Sequence, residues 1–193
     1  MPNPFVALGL HQPLIDALSE RGYNQPTPIQ AAAIPAILAG EDVMAGAQTG
    51  TGKTAAFALP ILQRLSANPI QDQTKSVVRA LVLTPTRELA QQVFQSFIRY
   101  GKFTPLKTAL VYGGASLNTQ IAELGAGVDI VVATPGRLLD LIQRGAADLS
   151  QLQHLVFDEA DRMLDMGFMD EITRILTAIP RERQTLLFSA TFD

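Results

Sequence analysis

Short runs of apolar, often β-branched residues alternate with longer amphipathic stretches along this chain. Six runs predict β-strands: Asp42–Gly46, Ala80–Leu83, Thr108–Tyr112, Ile130–Ala133, Leu155–Phe157 and Thr185–Ser189. Each run is almost continuously apolar, which is typical of strands that are covered on both faces. The pattern therefore predicts a sheet that is buried between two layers.

Helical patterns fill the intervals between these strands. They predict helices over Thr54–Ser66, Glu88–Tyr100, Leu117–Leu124, Leu138–Arg144 and Asp170–Ala178. Regular alternation of strand and helix predicts an α/β fold with a mostly parallel central sheet and helices on both faces. In such sheets ligands bind at the carboxyl ends of the strands, so functional residues are expected directly after strands.

Two further helices, Pro13–Arg21 and Gln30–Ala39, precede the first predicted strand. They predict an N-terminal extension over residues 1–40, packed on the same domain, followed by the main domain over residues 41–193. A length of 193 residues fits one domain with its own core.

Composition and net charge exclude several classes of protein but do not identify the function. A net charge of −3 gives no global attraction for nucleic acid, so any such site must be local. The sequence contains no cysteine, which excludes disulfides and cysteine metal sites and fits a reducing, cytoplasmic location. The most apolar stretch, Ala31–Gly40, is too short to span a membrane and contains Pro35.

The segment AQTGTGKT, Ala47 to Thr54, follows the first predicted strand and opens a helix. Its glycines allow a tight loop whose backbone N–H groups, together with the helix N-terminus, surround an anion. Lys53 would reach the terminal phosphates of a nucleotide, and the Thr54 hydroxyl would bind Mg²⁺. The strict phosphate-loop pattern begins with glycine where this chain has Ala47, and a plain Gly/Thr turn is the alternative.

The segment LVFDEAD, Leu155 to Asp161, brings two carboxylates to the end of an apolar strand. Asp158 can bind Mg²⁺, and Glu159 can orient and deprotonate an attacking water. An acidic cluster after a strand is by itself more often the start of a helix. In combination with the phosphate loop it favours a nucleotide-hydrolysing site.

AQTGTGKT and DEAD resemble motifs I and II of the DEAD-box ATP-dependent RNA helicases, whose phosphate loop begins with alanine. The resemblance covers nearly the whole chain and is to the first, N-terminal, of two RecA-like domains, with bacterial members nearest. It implies a RecA-like P-loop fold, ATP and Mg²⁺ as ligands, and RNA as a partner. The implied nucleotide-binding residues of the loop are Ala47, Gln48, Thr49, Gly50, Thr51, Gly52, Lys53 and Thr54. The implied catalytic residues are Lys53, Asp158, Glu159, Asp161, Ser189 and Thr191.

GYNQPTPIQ, Gly22 to Gln30, resembles the family's Q motif, which binds adenine; Gln25 lies within it. The Gln30 amide offers an acceptor beside a donor, which matches N7 and N6–H₂ of adenine and not guanine. Such a pair is worth roughly 1–3 kcal/mol, or about 10- to 100-fold in favour of ATP over GTP. Phe5 or Tyr23 would stack on the base, and both remain open. The alternative for Gln30 is a polar residue at a helix start.

Three more predicted strand ends carry TPTRELA, YGGAS and TPGR, each a good helix start. Arg87 and Arg137 then lie where the helix dipole favours anions, which indicates phosphate binding; structural ion pairs are the alternative. The three segments resemble the family's RNA-contacting motifs Ia, GG and Ib. The implied contacts are Pro85, Thr86, Arg87, Gly113, Gly114, Thr134, Gly136 and Arg137. They would be independent of base sequence, with 2′-hydroxyls favouring RNA over DNA.

Ser189-Ala190-Thr191 resembles motif III, which couples nucleotide to RNA. In RecA-like sheets its strand lies between the phosphate-loop strand and the DEAD strand, so the hydroxyls of Ser189 and Thr191 are expected to point towards Asp161. The family's second RecA-like domain supplies arginine fingers, worth roughly 10³- to 10⁵-fold in rate. Its His-Arg-x-Gly-Arg motif does not occur here. We expect this chain alone to be monomeric, to bind adenine nucleotide weakly and to hydrolyse it little.

Two other functions fit parts of the pattern. One is a DNA-directed translocase of the same superfamily, and the other is a P-loop nucleotide-binding module without nucleic acid. His11 and His154 have no partner motif and are not expected to bind metal or act as bases. The segment Arg162–Phe168 has apolar residues at helical spacing and is expected to belong to the core.

Overall fold

The computed structural model describes residues 3–46, 51–69 and 77–190, with Thr51 described by its backbone alone. Its centre is a six-stranded sheet in which every pairing is parallel, in the order β1-β6-β5-β2-β4-β3. The strands are β1 (Val43–Gly46), β2 (Ala80–Leu83), β3 (Thr108–Val111), β4 (Ile130–Ala133), β5 (His154–Asp158) and β6 (Gln184–Ser189).

Eight α-helices lie in the described part of the chain. They are α1 (Gln12–Glu20), α2 (Pro28–Leu38), α3 (Thr51–Ala67), α4 (Arg87–Tyr100), α5 (Leu117–Gly125), α6 (Pro135–Gln143), α7 (Ala160–Asp165) and α8 (Met169–Thr177). The α/β class and the parallel sheet predicted from the sequence are confirmed. None of the helices in the described residues is both long enough and apolar enough to cross a membrane.

Helices cover the sheet in two layers, each with its own apolar core. Residues of α1 to α4 pack on one face, where Phe57 of α3 contacts the rings of Phe97 and Phe188. Residues of α5 to α8 pack on the other face around Leu138, Met163 and other buried side chains. The N-terminal helices α1 and α2 thus share the core of α3 and α4.

Burial along the strands follows their place in the sheet. The central strands β2 and β4 are buried at every residue, as their apolar runs predict. At the edges, β1 and β3 alternate in exposure, and Met44 is 72% exposed. The prediction that all strands are covered on both faces is wrong for β1, because helices do not cover the outer face of this edge strand.

The segment after β5 also differs from its prediction. Arg162–Phe168 was expected to be core, but only Met163 is fully buried, while Leu164 and Met166 are about half exposed. A 3₁₀-helix at Val6–Leu8 was not predicted, because three residues are too few to show a helical period. Helix α7 overlaps the segment Arg162–Phe168, whose apolar residues have helical spacing.

Candidate nucleotide and nucleic-acid sites

All six strands end at one edge of the sheet, because all of them are parallel. The predicted nucleotide motifs follow β1, β6 and β5, which are neighbours, and the predicted RNA motifs follow β2, β4 and β3, which are also neighbours. Strand β6 lies between β1 and β5, as the resemblance implied. The carboxyl edge is therefore divided into a predicted nucleotide half, after β1, β6 and β5, and a predicted nucleic-acid half, after β2, β4 and β3, which meet between β5 and β2.

The nucleotide half contains a buried cluster of one lysine and two carboxylates. Lys53, in the first turn of α3, places its Nζ 2.8 Å from Asp158 Oδ1 and 3.5 Å from Glu159 Oε2. All three side chains are less than a tenth exposed. Burial raises the pKa of Asp158 and outweighs the opposing effect of the Lys53 charge. The two carboxylates are paired with Lys53 and, at Glu159, with Arg162, so displacement of Lys53 would leave buried carboxylate oxygens suited to another cation.

Glu159 has a left-handed backbone conformation, with φ 57° and ψ 54°. It is the single non-glycine residue with positive φ in the described ranges. This conformation costs an L-residue roughly 1–2 kcal/mol, and such strain concentrates at functional sites. The Glu159 carboxylate also contacts Arg162 Nη1 at 3.5 Å. The strained turn aims the second carboxylate of the DEAD segment back towards Lys53.

The predicted Q motif packs directly on the start of α3. Thr27 caps α2, and its side chain and the Gln30 side chain form a reciprocal capping box. The Gln30 Oε1 accepts from the Thr27 backbone N–H at 3.0 Å, and its Nε2 donates to the Gly52 carbonyl at 3.2 Å. A Cβ at Gly52 would lie 2.9 Å from Thr27 Oγ1, so any larger residue there would displace the Thr27 side chain. The amide predicted to read adenine therefore also ties the Q motif to the phosphate-loop helix.

A small cavity of about 50 Å³ opens beside this contact. Its lining includes Phe5, Tyr23, Gln25, Gln30, Gly52 and Tyr100. Five of these six are predicted nucleotide-binding residues, so the structure brings them together. Phe5 is 1% exposed and lies in the core, whereas Tyr23 is 37% exposed and offers its ring to solvent. Tyr100, at the end of α4, was not predicted, because no local pattern marks it as part of a site.

A larger groove of about 840 Å³ runs along α4 beside the buried cluster. Lys53, Thr54, Asp158 and Glu159 all line it. Tyr23 and Tyr100 line both this groove and the small cavity. The combined space is lined by tyrosine rings and by a buried lysine with two carboxylates, which are the kinds of groups that a nucleotide's base and phosphates require.

In the nucleic-acid half, Arg87 lies open at the start of α4. Its side chain is 55% exposed and makes a loose contact of 3.9 Å with Glu88. The guanidinium lies 5.9 Å from the centre of the Tyr112 ring, and Gly114 lies beside it. The Tyr112 contact joins the predicted motif Ia to the predicted GG segment. The exposed guanidinium remains available to an anion.

Arg137, in the first turn of α6, is held by neutral acceptors. Its Nη1 donates to the Ala115 carbonyl and to Gln120 Oε1, both at 3.0 Å. Among the residues that the structure describes, no ion pair is formed by Arg137, so its charge is not compensated as the structural alternative required. Gly113 and Gly136 are exposed, with open space where a side chain would lie. The helix start and these glycines leave room for a phosphate backbone.

Several predicted residues fall outside the described ranges or are only partly described. Ala47, Gln48, Thr49, Gly50 and Thr191 are outside them, and the Thr51 side chain is not described. Asp161 and Ser189 each have an interaction partner, but their proposed mutual coupling stays a prediction. Pro85 is buried and Thr86 caps α4 by accepting from the Leu89 N–H.

The described residues contain no group of three or more His, Cys, Asp or Glu side chains that could hold a metal ion alone. Oxygen donors that line the groove include the Thr54 hydroxyl and the carboxylates of Asp158 and Glu159. Mg²⁺ typically takes one or two carboxylates together with nucleotide phosphates and water. The residues present therefore fit a nucleotide-dependent Mg²⁺ site.

A parallel sheet with a lysine-bearing helix after one strand and a carboxylate pair after another defines a RecA-like P-loop nucleotide-binding domain. The comparisons with known proteins identify its family. A family description, DEAD/DEAH box helicase, matches residues 27–193. The chain belongs to the DEAD/DEAH box helicase family.

Relatives come from several kingdoms. The chain is 50% identical to an ATP-dependent RNA helicase DeaD of Mycobacterium tuberculosis, with 97% of this chain and 32% of the relative covered. It is 47% identical to a probable ATP-dependent RNA helicase ddx27 of Dictyostelium discoideum, with 98% of this chain and 24% of that relative covered. A crystal structure of a DEAD box protein from Methanococcus jannaschii matches with a TM-score of 0.86 and 39% identity, over 95% of this chain and 49% of that one. The chain spans about a third or less of the length of these two helicase sequences.

Proposed function

We propose that this chain is the ATP-binding half of an ATP-dependent RNA helicase, of the bacterial type. Residues 1–40 form the extension with the Q motif, and residues 41–193 form the first RecA-like domain. The observation that carries the proposal is the buried contact of 2.8 Å between Lys53 and Asp158 at the carboxyl edge of the sheet. This contact joins the start of α3, which carries Lys53, to the DEAD segment, and phosphoryl transfer requires both.

The contact also indicates how nucleotide binding proceeds. Lys53 is neutralised by Asp158 and Glu159 in the structure. An incoming triphosphate competes for Lys53, whose Nζ then donates to the terminal phosphate oxygens. Removing one partner from a buried ion pair costs roughly 3–5 kcal/mol, so the carboxylates then need another cation. Nucleotide and cation are therefore expected to bind together.

Thr54 and Asp158 would hold Mg²⁺ in this arrangement. When bound, Mg²⁺ would neutralise negative charge on the phosphates. Glu159, held near the groove by its strained turn, then orients and deprotonates the attacking water. Gln30 and either Tyr23 or Phe5 bind adenine, with the Gln30 amide exchanging its Thr27 and Gly52 contacts for the base edge.

RNA is proposed to bind across the other half of the same edge. Arg87 and Arg137 contact phosphates, and the helix starts and glycines after β2, β4 and β3 accommodate the backbone. A second RecA-like domain supplies the arginine fingers, so this chain alone is expected to be nearly inactive as an ATPase. We also expect it to be monomeric. The absence of cysteine from the sequence supports a reducing, cytoplasmic setting.

Replacing Lys53 with Ala tests the nucleotide site. We expect ATP affinity, measured by calorimetric titration in the presence of Mg²⁺, to fall at least about 10-fold, since a charge-assisted hydrogen bond is lost. Lys102→Ala is the matched control, because Lys102 lies at the surface in an ion pair with Glu20. Unchanged ATP affinity in Lys53→Ala would remove the proposed phosphate site.

A second variant covers the case in which Lys53→Ala does not fold, since it leaves two buried carboxylates unpaired. Thr54→Val keeps the shape of the side chain and removes the hydroxyl. We expect it to weaken ATP binding in Mg²⁺ and to leave the smaller affinity in EDTA unchanged. Equal losses under both conditions would contradict a role for Thr54 at the metal.

A further inference from the structure

Thr84 occupies the boundary between the two halves of the carboxyl edge. It directly follows β2, the strand between β5 and β4. Leu83 pairs with Phe157 of β5 and with Ala133 of β4. Thr84 is thus one step beyond these pairs, level with Asp158 on one side and Thr134 on the other.

Backbone hydrogen bonds show that Thr84 continues the strand ladder. The Ala80 N–H donates to the Asp129 carbonyl at 3.1 Å, and the Thr84 N–H donates to the Ala133 carbonyl at 3.0 Å, four residues further along both strands. Side chains of an extended strand alternate between faces, so Thr84 faces the same side as Ala80 and Val82, towards α3 and α4.

Asp158 and Thr134 face that same side. Asp158 lies two residues after Val156 of that core, and it contacts Lys53 from α3. The Thr134 N–H donates to the Val111 carbonyl at 3.0 Å, which continues the β4 ladder beyond Val132. Three polar side chains on adjacent strands therefore form a row, with spacings of about 4.8 Å between strands.

Among the residues that the structure describes, none is a hydrogen-bond partner of the Thr84 hydroxyl in the middle of this row, although Thr84 is fully buried. The Thr134 hydroxyl likewise does not cap α6, unlike the Thr86 hydroxyl at the start of α4. A buried hydroxyl without a partner is unfavourable, and a valine of the same shape would avoid the cost. A partner gained in a second state, in which the neighbours have moved, would offset that cost.

We propose that Thr84 is a positioning residue that couples the nucleotide half of the site to the RNA half. Its hydroxyl donates to the Asp158 carboxylate and accepts from Thr134, directly or through one water, once Lys53 has turned to the nucleotide. The strand spacing is short enough for either route. This inference rests on the proposed function, and it defines a route across β5, β2 and β4 that is separate from the Ser189–Thr191 segment.

The test compares Thr84→Val with Thr84→Ser in the full-length protein. The quantity measured is the ratio of RNA affinities with and without a non-hydrolysable ATP analogue, by fluorescence anisotropy of a labelled single strand. We expect Thr84→Val to lower that ratio roughly 10-fold, since one hydrogen bond to a charged group is lost. Thr84→Ser, which keeps the hydroxyl, should retain most of it.

Two further readouts separate this role from a structural one. The thermal midpoint of Thr84→Val should equal or exceed that of the unaltered protein, because the unpartnered hydroxyl is gone. Thr108→Val, a hydroxyl removed from the far end of β3, should leave the affinity ratio unchanged. An unchanged ratio in Thr84→Val, with both ligands still bound, overturns the role of Thr84 alone. Failure of the unaltered protein to bind nucleotide or RNA overturns the proposed function as well.

Discussion

At the scale of single residues, Glu159 shows what a motif cannot reveal. The sequence identifies it as a candidate base from its place in DEAD, but its left-handed backbone is visible only in the structure. The same holds for Gln30, whose motif indicates adenine binding while its contacts with Thr27 and Gly52 depend on how α2 meets α3. Residue types predict chemistry, whereas backbone strain and shared contacts arise from packing.

The strain at Glu159 predicts an unusual order of stability between two variants. Glu159→Gly and Glu159→Ala both remove the carboxylate, but only glycine adopts positive φ without cost. We expect the free energy of unfolding, measured with urea, to be about 1–2 kcal/mol higher for the glycine variant than for the alanine variant. In an ordinary helical position alanine would be the more stable by up to about 1 kcal/mol. That ordinary order at position 159 would show that the backbone there is not left-handed.

At the scale of elements, strand predictions succeeded where the sheet is covered. The bounds of β2 and β4 are those that their apolar runs predict, because both faces of these strands are buried. The edge position of β1 could not be predicted, since the apolar run Asp42–Gly46 does not show which strands and helices will lie beside it. The start of helix α7 could not be predicted, because it begins after Glu159 without a side-chain cap; only the apolar spacing of Arg162–Phe168 indicates a helix there.

The amino ends of β5 and β6 form a buried polar contact with a consequence for pH. His154 Nδ1 lies 2.8 Å from Gln184 Oε1, and Gln184 Nε2 donates to the carbonyls of Ile37 and Glu41. The Gln184 oxygen can only accept, so His154 Nδ1 must carry a proton. Burial lowers the pKa of His154 from 6.5 to about 4, against the weaker opposing effect of the Gln184 hydrogen bond.

The lowered pKa of His154 predicts a loss of stability in mild acid. The unfolded chain binds a proton near pH 6.5 and the folded chain only near pH 4, so stability is full above 6.5 and falls as the pH drops from 6.5 towards 4. The loss attributable to His154 should reach about 3 kcal/mol at most. His154→Gln should flatten the urea-unfolding profile in that window, and His11→Gln, at an exposed position, should not. Equal slopes for His154→Gln and the unaltered chain would contradict the prediction.

At the scale of the whole molecule, the strand order places the predicted nucleotide and RNA motifs in two adjacent halves of the carboxyl edge. The sequence could predict which segments follow strands, and the resemblance could assign them to nucleotide or RNA. The strand order that gathers them into two adjacent halves was implied by the family for β6 and is confirmed. Contacts between distant segments, such as Tyr100 with the Q motif cavity, could not be predicted, because no local pattern encodes them.

If the two halves are separate sites, a substitution in one half should weaken binding only of the ligand of that half. Arg137→Ala should lower RNA affinity about 10-fold, since a charged contact to phosphate is lost, and should leave ATP affinity unchanged. Arg87→Ala should act in the same way, and each should reduce the dependence of RNA binding on salt concentration by about one phosphate. The measurements are RNA titrations in the full-length protein at several salt concentrations, beside ATP titrations of the same samples.

Arg144→Ala provides the matched control for Arg137→Ala. Arg144 immediately follows α6 and carries the same charge, but it forms a surface ion pair with Asp140 away from the helix start. Arg144→Ala should change RNA affinity and its salt dependence much less, because Arg144 does not lie where the RNA backbone is proposed to bind. Equal effects of Arg137→Ala and Arg144→Ala would mean that RNA responds to net charge and not to this edge of the sheet. Loss of ATP affinity in either Arg87→Ala or Arg137→Ala, with the fold intact, would show that the two halves are not separate sites.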